Sequence, residues 1–547
     1  MNTRSWSASL TRLLPLPVIA ALLVSAGPAT KTDPAALSEM VRTLASPEFE
    51  GRGPGTAGEE KTVAWLVDRF KALGLEPGGE DGGFTQRVPM VHTRIAGGAM
   101  AFGGEAAEQF KSVSVTTVRP QDKIAIDAPM VFVGHGVHAP EAGWDDFKGV
   151  DLKGKVAVFL INDPDFEAQP GDGAAGKFGG RRMTYYGRWT YKFEEAARRG
   201  AVAALIVHDS AGVGYGWSTV TANNGESYDI VRGPGDRNLA LQGWIEHDVA
   251  DGLFARAGLD LAQLRAKARQ ADFRPVELKG VPFRADLSVK VDRIESRNVI
   301  AKLTGSKYPQ ETVMFGAHWD AYGKAADGTV RPGANDDALG SAGVIDLARQ
   351  FKAGKRPERT LVFALWTGEE RGLLGSEYYG AHPLYPLETT AANLTLDILN
   401  TGGLSKNVVL VGNGNSSLDA MLADAARAQG RVVTPETFSE KGLFFRADHF
   451  SVARRGVPSL LIMQLGGAPD LVEGGLPAGQ RWLDGYMKCY HQACDAWDAS
   501  WNFAAAAQDI DLFHAMGSRI ANSRDWPAWR QGFEFEKIRE ESAARRR

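Results

Sequence analysis

Between positions 313 and 370 the chain reads VMFGAHWD (313–320), RPGANDDALG (331–340) and TLVFALWTGEE (360–370). Residues 313–315 and 361–366 are short apolar runs, the pattern of buried strands. Each run ends in residues that take metals or protons. His318 and Asp320 follow the first, Glu369 and Glu370 the second. Between them a Pro-Gly turn presents Asp336 and Asp337 just ahead of a helix. Side chains leaving the carboxyl ends of neighbouring strands are how an open α/β sheet builds a site. The stretch therefore predicts half of a two-zinc hydrolase centre, and the remaining chain must supply the other half.

Working outward, residues 299–303, 394–398, 408–411 and 459–463 read as further strands. The helix after Asp337 puts Val344, Leu347, Ala348 and Phe351 on one face. Such alternation predicts an α/β fold, a sheet sandwiched by helices. A catalytic zinc pair needs a bridging carboxylate, an imidazole and a carboxylate to divide between the metals, and open positions for water. His318 offers the first imidazole, and Asp320, two residues on, faces the same way and can orient its ring. Asp336 is the candidate bridge. Glu369 and Glu370 are adjacent and point differently, which suits one as ligand and its neighbour as general base. Asp397, at the end of its apolar run, and His491, on a late loop, complete the set. Singly these residues are weak signals: a lone His is commonly a satisfied core or surface residue, a Glu pair a solvated helix face, and Asp337 a helix N-cap. The weight lies in the whole set. No His-Glu-x-x-His or Gly-x-Ser-x-Gly pattern occurs, and the Gly412-Asn413-Gly414 turn lacks the Lys of a phosphate loop.

At 547 residues the chain is long enough for two or three domains. A net charge of −4 leaves no basic excess to neutralise phosphates, which argues against nucleic acid as a partner. Arg4 and Arg12, the apolar residues 13–24 and the small residues Val24-Ser25-Ala26 read as an export signal over residues 1–26. Pro15, Pro17 and the short apolar length speak against a membrane anchor, and no later segment is apolar enough to span a bilayer. The mature protein is thus expected to be periplasmic or secreted. The two cysteines, Cys489 and Cys494, bracket His491. A disulfide, a separate zinc site with His491 and two free thiols are all open at this point.

After the signal, Asp33-Pro34 starts a helix with Leu37, Met40, Val41 and Leu44 on one face. A second helix carries Val63, Leu66, Val67, Phe70 and Leu73 and stops at Gly74. From about 125 to 282 the chain turns to short β-rich runs (130–133, 156–161, 203–207), one helix at 192–199, and long loops at 163–182 and 209–238. Tyr185, Tyr186, Trp189 and Tyr191 are expected to pack this small domain rather than to form a substrate platform.

In order along the chain, GAHWD (316–320), GANDDALG (333–340), WTGEERGLLGSEYY (366–379), LDILNTGG (396–403), RADHF (446–450) and YHQACD (490–495) resemble the M28 family of dizinc peptidases. Residues 131–164 resemble the protease-associated domain that some exported members carry. The resemblance implies an aminopeptidase-type fold, a mixed sheet between helices, with peptidase segments at 32–124 and 285–535 and a β-rich insert at 125–284. It implies two Zn2+ per chain: His318 and Asp397 on one, Glu370 and His491 on the other, Asp336 bridging, and Asp320 orienting His318. Glu369 would take a proton from the water between the metals and pass it to the leaving amine. Peptides are the implied partners; the oligomeric state is not implied. Leu339 and Ala447 stand where Ser is frequent in the family, and Arg446 adds a cation, a candidate for the substrate pocket that would recognise a carboxylate or pair with a nearby acid. Alternatives on the same fold are glutaminyl cyclase-like, dipeptidase or carboxypeptidase activity.

Overall fold

In the strand Arg359–Trp366 all eight residues are buried, yet they serve two cores. Leu361, Phe363 and Leu365 enter one, and Val362, Ala364 and Trp366 enter the other. A strand points successive side chains to opposite faces, so a continuous apolar run needs cover on both. The computed structural model, which describes Met1 and residues 31–233, 238–325 and 327–546, supplies that cover. On one face lie the helices Pro34–Leu44, Ala57–Ala72, Leu339–Ala353, Leu418–Ala428 and Phe503–Ala521; on the other lie Leu374–Ala381 and His449–Ala453. The expected export signal falls outside the described residues apart from Met1. Among the described residues no helix is long and apolar enough to cross a membrane.

The main path of the large sheet runs Glu226–Ile230, Thr85–Phe102, Phe283–Leu303, Arg359–Trp366, Tyr308–His318, Thr390–Leu396, Ser459–Ile462, Asn407–Val411 and Val432–Pro435. Arg359–Trp366, Tyr308–His318, Thr390–Leu396 and Ser459–Ile462 are mutually parallel in that order, and the flanking pairs Phe283–Leu303 and Asn407–Val411 run antiparallel. The sheet is mixed and sandwiched by helices, as the sequence predicted. The first helix begins as expected: Asp33 caps it by accepting from the Ala35 amide at 2.9 Å, with Pro34 in the first position.

The structure extends one predicted strand far beyond its expected start at 299. Phe283–Leu303 is 21 residues long and pairs along its length with Thr85–Phe102. The cue was there in the alternating burial of residues 283–290, FRADLSVK, where a period of two marks a strand with one wet face. This ribbon leaves the large sheet and packs against a six-stranded second sheet ordered Val276–Glu277, Met130–Phe132, Val156–Leu160, Ala203–Val207, Leu241–Ile245 and Val113–Thr116. Met100, Phe102, Ala285 and Leu287 of the ribbon share one core with Val113, Met130, Val158 and Leu205 of that sheet. Of the ribbon's two strands, Phe283–Leu303 spans residue 284, where the second peptidase segment was expected to begin near 285, and Thr85–Phe102 lies within the expected first segment.

Of the aromatic residues expected to pack the second unit, Trp189 does so against Phe193 and Tyr186 against Phe178, while Tyr185 differs. Tyr185 lies 5.0 Å from the Phe450 ring and 6.0 Å from Phe445, with Phe535 at 6.2 Å. It packs the junction with the large sheet rather than the interior of the small domain. A charged latch sits beside it, Arg454 donating to Glu194 at 2.7 and 2.9 Å.

Candidate metal centre

Three neighbouring parallel strands end at one place. His318 is the last residue of Tyr308–His318, Glu369 and Glu370 follow Arg359–Trp366 after a Gly368 turn, and Asp397 follows Thr390–Leu396. Gly368 has φ 64° and a Cβ there would meet the Met90 methyl at 2.9 Å, so the turn requires glycine. Asp336 and Asp337 arrive from the segment before helix Leu339–Ala353, joined by a cis peptide bond. His491 reaches in from the late loop with φ 62°, a left-handed conformation uncommon for a side-chain-bearing residue. The disulfide Cys489–Cys494 ties off that loop, which settles the three alternatives left open for these cysteines.

Asp336 is the centre of the arrangement. Its Oδ1 lies 3.1 Å from His318 Nε2 and its Oδ2 lies 3.2 Å from His491 Nε2. Glu370 is 3.2 Å from the same His491 nitrogen, while Asp397 and Glu369 stand 4.0 and 3.9 Å from His318 Nε2. The donors fall into two groups, His318 with Glu369 and Asp397, and Asp336 with Glu370 and His491, each within a span of 4.8 Å. Asp320 serves two sides. Its carboxylate is 3.6 Å from His318 Nδ1 and also accepts from the amides of Glu369 (3.1 Å) and Glu370 (3.4 Å). The His318 Nδ1 additionally faces the Asp320 carbonyl at 3.1 Å.

The electrostatics of these side chains call for cations. Burial, then neighbouring carboxylates, push Glu370 and Glu369 well above the usual carboxylate range, and Asp397 up to about 8. His318 is raised despite its burial, by the charge of Glu369 and by Asp320 and Asp336. Asp336 is held low despite its burial, because both imidazoles face it. Asp397 Oδ1 is buried with no hydrogen-bond partner. A buried acceptor without a donor, in a set of carboxylates and imidazoles, fits a pair of divalent cations such as zinc.

Further residues hold this set in place. Asp495 accepts from the amides of Asn335 (3.0 Å) and Asp336 (3.1 Å), tying the YHQACD loop to the bridging segment. Tyr322 Oη lies 3.0 Å from His491 Nδ1. Arg52 is fully buried and donates to the carbonyls of Trp319, Leu44, Pro332 and Gly333 at 2.6–2.9 Å, gripping the backbone on either side of the first ligands. Asp337 accepts from the Gly340 amide at 2.8 Å, although the N-cap position of the helix Leu339–Ala353 falls to Ala338. Arg446 lines the cavity beside the centre, 3.5 Å from Tyr490 Oη.

Comparison with known proteins agrees with this geometry. The model of peptidase family M28 matches residues 298–513. A probable zinc metalloprotease of Pyricularia oryzae is 36% identical over 155 residues, 27% of this chain and 26% of that protein. Carboxypeptidase Q of Rattus norvegicus is 41% identical over 92 residues, 16% of this chain and 18% of its own length. The aligned stretch thus spans about a quarter or less of these curated relatives. An aminopeptidase from Aneurinibacillus sp. strain AM-1 superposes over 91% of this chain and 96% of its own with a TM-score of 0.51 at 20% identity, a likeness of fold. Residues 298–513, which hold every candidate ligand together with Asp320 and Glu369, are thus the part of the chain that is similar to peptidase family M28.

Proposed function

We propose that the chain is an exported exopeptidase that removes the N-terminal residue of peptides at a two-zinc centre. The observation that carries this reading is the Asp336 carboxylate, one oxygen turned to each of two imidazoles that come from distant parts of the chain. His318 and Asp397 would hold one zinc, Glu370 and His491 the other, with Asp336 between them. Zinc bound there supplies a water of lowered pKa and a polarised scissile carbonyl. Glu369, beside both groups and raised by burial, takes the proton from the attacking water and hands it to the leaving amine. Asp320 holds the amides of Glu369 and Glu370 and steadies the His318 ring, so base and ligands keep one geometry. The carboxylates around the centre offer ion-pair partners to a free α-amine, which supports cleavage at the N-terminus. Arg446 supplies a cation at the pocket wall. The second unit, over 125–284, is read as the inserted protease-associated domain. The disulfide Cys489–Cys494 supports an oxidising compartment, in line with export.

The test pairs zinc analysis of purified protein with a panel of free and N-acetylated peptides. About two equivalents of zinc and cleavage of free peptides alone are expected. One equivalent with cyclisation of N-terminal glutamine would favour a glutaminyl cyclase, and internal cleavage of blocked peptides would overturn the exopeptidase reading.

A further inference from the structure

Burial holds His491 less firmly than it holds the carboxylates beside it. The His491 side chain is 28% exposed, against 5% for Asp336 and 3% for Glu370, the two acids that its Nε2 faces at 3.2 Å. A ring so loosely packed needs an outside contact to fix its direction and its tautomer. Tyr322 provides one. Its phenol oxygen lies 3.0 Å from His491 Nδ1, with the two ring centres 4.7 Å apart. Zinc at Nε2 requires the proton on Nδ1, and the Tyr322 oxygen is placed to accept that hydrogen bond.

Tyr322 is held in turn from farther away. Arg371, the residue after Glu370, donates to the Tyr322 carbonyl at 3.2 Å, and its guanidinium carbon lies over the Tyr322 ring, 5.1 Å from the ring centre. The same guanidinium lies over the ring of Tyr228 at 4.8 Å. A cation over a phenol face is attracted by the negative face of the ring, so each of these contacts has a direction. Tyr228 comes from Glu226–Ile230, a strand that in sequence falls between Ala203–Val207 and Leu241–Ile245 of the second sheet. That strand nevertheless pairs with Thr85–Phe102 at the edge of the large sheet. There Tyr228 stands opposite His92 in register, and the two rings stack 4.3 Å apart at 9°. One row of contacts therefore runs from His92 through Tyr228, Arg371 and Tyr322 to His491. Displacing Tyr228 would free Arg371 on one side and, through it, the phenol that steadies the imidazole.

Resting on the two-zinc reading above, we propose that Tyr228 is a positioning residue through which the chain of the second unit sets the zinc affinity of the Glu370–His491 side of the centre. It acts through Arg371 and Tyr322 rather than on the metal itself. The two sides of the centre then differ in kind: His318 and Asp397 are set by the ends of central strands, whereas His491 leans on an edge strand supplied from outside the peptidase segments.

The test titrates the metal-free full chain with zinc against a chromogenic chelator and reads two stepwise dissociation constants. Tyr228→Ala is expected to weaken one of them by about tenfold, the lower end of what an outer contact to a metal-bound imidazole is worth, and to leave the other as in the parent. Tyr228→Phe keeps the ring face and should restore the parent value. Arg371→Met removes the cation and should repeat the loss, which carries the test should Tyr228→Ala fail to fold. In a His491→Ala chain, expected to retain the other zinc, adding Tyr228→Ala should change nothing further, whereas a general loosening of the fold would weaken that zinc as well. Parent-like constants in both Tyr228→Ala and Arg371→Met, or equal weakening of both zincs, would overturn the proposal while the two-zinc reading stands. A parent protein that takes up one zinc or none would sink that reading, and the proposal with it.

Discussion

Glu369 and His449 show how burial gives a titratable side chain different work. Glu369 is raised by burial and by nearby acids, which suits a group that must accept and return a proton. Glu369→Gln is expected to keep its zinc, read by metal analysis, and to lose about 10²- to 10⁴-fold in kcat. His449 is fully buried against Phe444 with both ring nitrogens unpartnered, and burial pushes it down to about 3. It is therefore neutral when folded, while the unfolded chain binds its proton below about pH 6.5. Its stability is full above that pH and is lost as the pH falls towards 3; His135, also depressed to about 3, acts in the same direction. On lowering the pH from 7.5 to 5.5, the stability gap between the parent and His449→Phe should shift by about 1.4 kcal/mol against the parent. Unfolding in urea at the two pH values measures it, and an equal gap at both would refute the argument.

At the scale of elements, the parts that end on ligands were legible and the parts that hold them were not. Apolar runs stopping at His318, Glu369 and Asp397 announce strand ends directly, because local sequence fixes both the strand and its terminus. Asp495 and Arg52 carry no such mark. Their roles depend on backbone groups of residues 334–336 and 319–333, which only the tertiary fold brings near. Arg52, set among the glycines of residues 51–55, is nonetheless one of the largest fully buried side chains. The long ribbon was read too short because the one-sided alternation at 283–290 is fainter than a solid apolar run. Arg52→Met would take the donor from the carbonyls of Leu44, Trp319 and Pro332, each costing about 1–3 kcal/mol where buried, while the Gly333 carbonyl keeps the Ala338 amide. A loss of about 3 kcal/mol or more in unfolding free energy is expected, with weaker zinc retention on dialysis. A variant as stable as the parent would show that water replaces the guanidinium at no cost.

For the whole molecule, the centre stores electrostatic repulsion that bound cations would relieve. Chelation is expected to lower the melting temperature, since anything bound only by the folded state stabilises it. The chelated protein should then recover stability as the pH is lowered from 8 towards 6.5. Asp397, raised to about 8, and Glu369 and Glu370, also raised, take up protons in the folded state there, whereas the unfolded carboxylates stay ionised down to about pH 4. The zinc-loaded protein should lack this recovery, and scanning calorimetry on both forms tests it.

The ribbon formed by Thr85–Phe102 and Phe283–Leu303 has a consequence at this same scale. Hydrogen-bonded strands run, with one register shift at Ser288/Val289, from the interior of one unit into that of the other, like a girder built into two houses. A cut along it, by a protease or a gene designer, strips ladder partners from both sides at once. Damage to the distant core, at Met100 or Leu287 for instance, is thus expected to be felt along the beam at the metal-centre end, where weaker zinc retention as well as lost stability would report it.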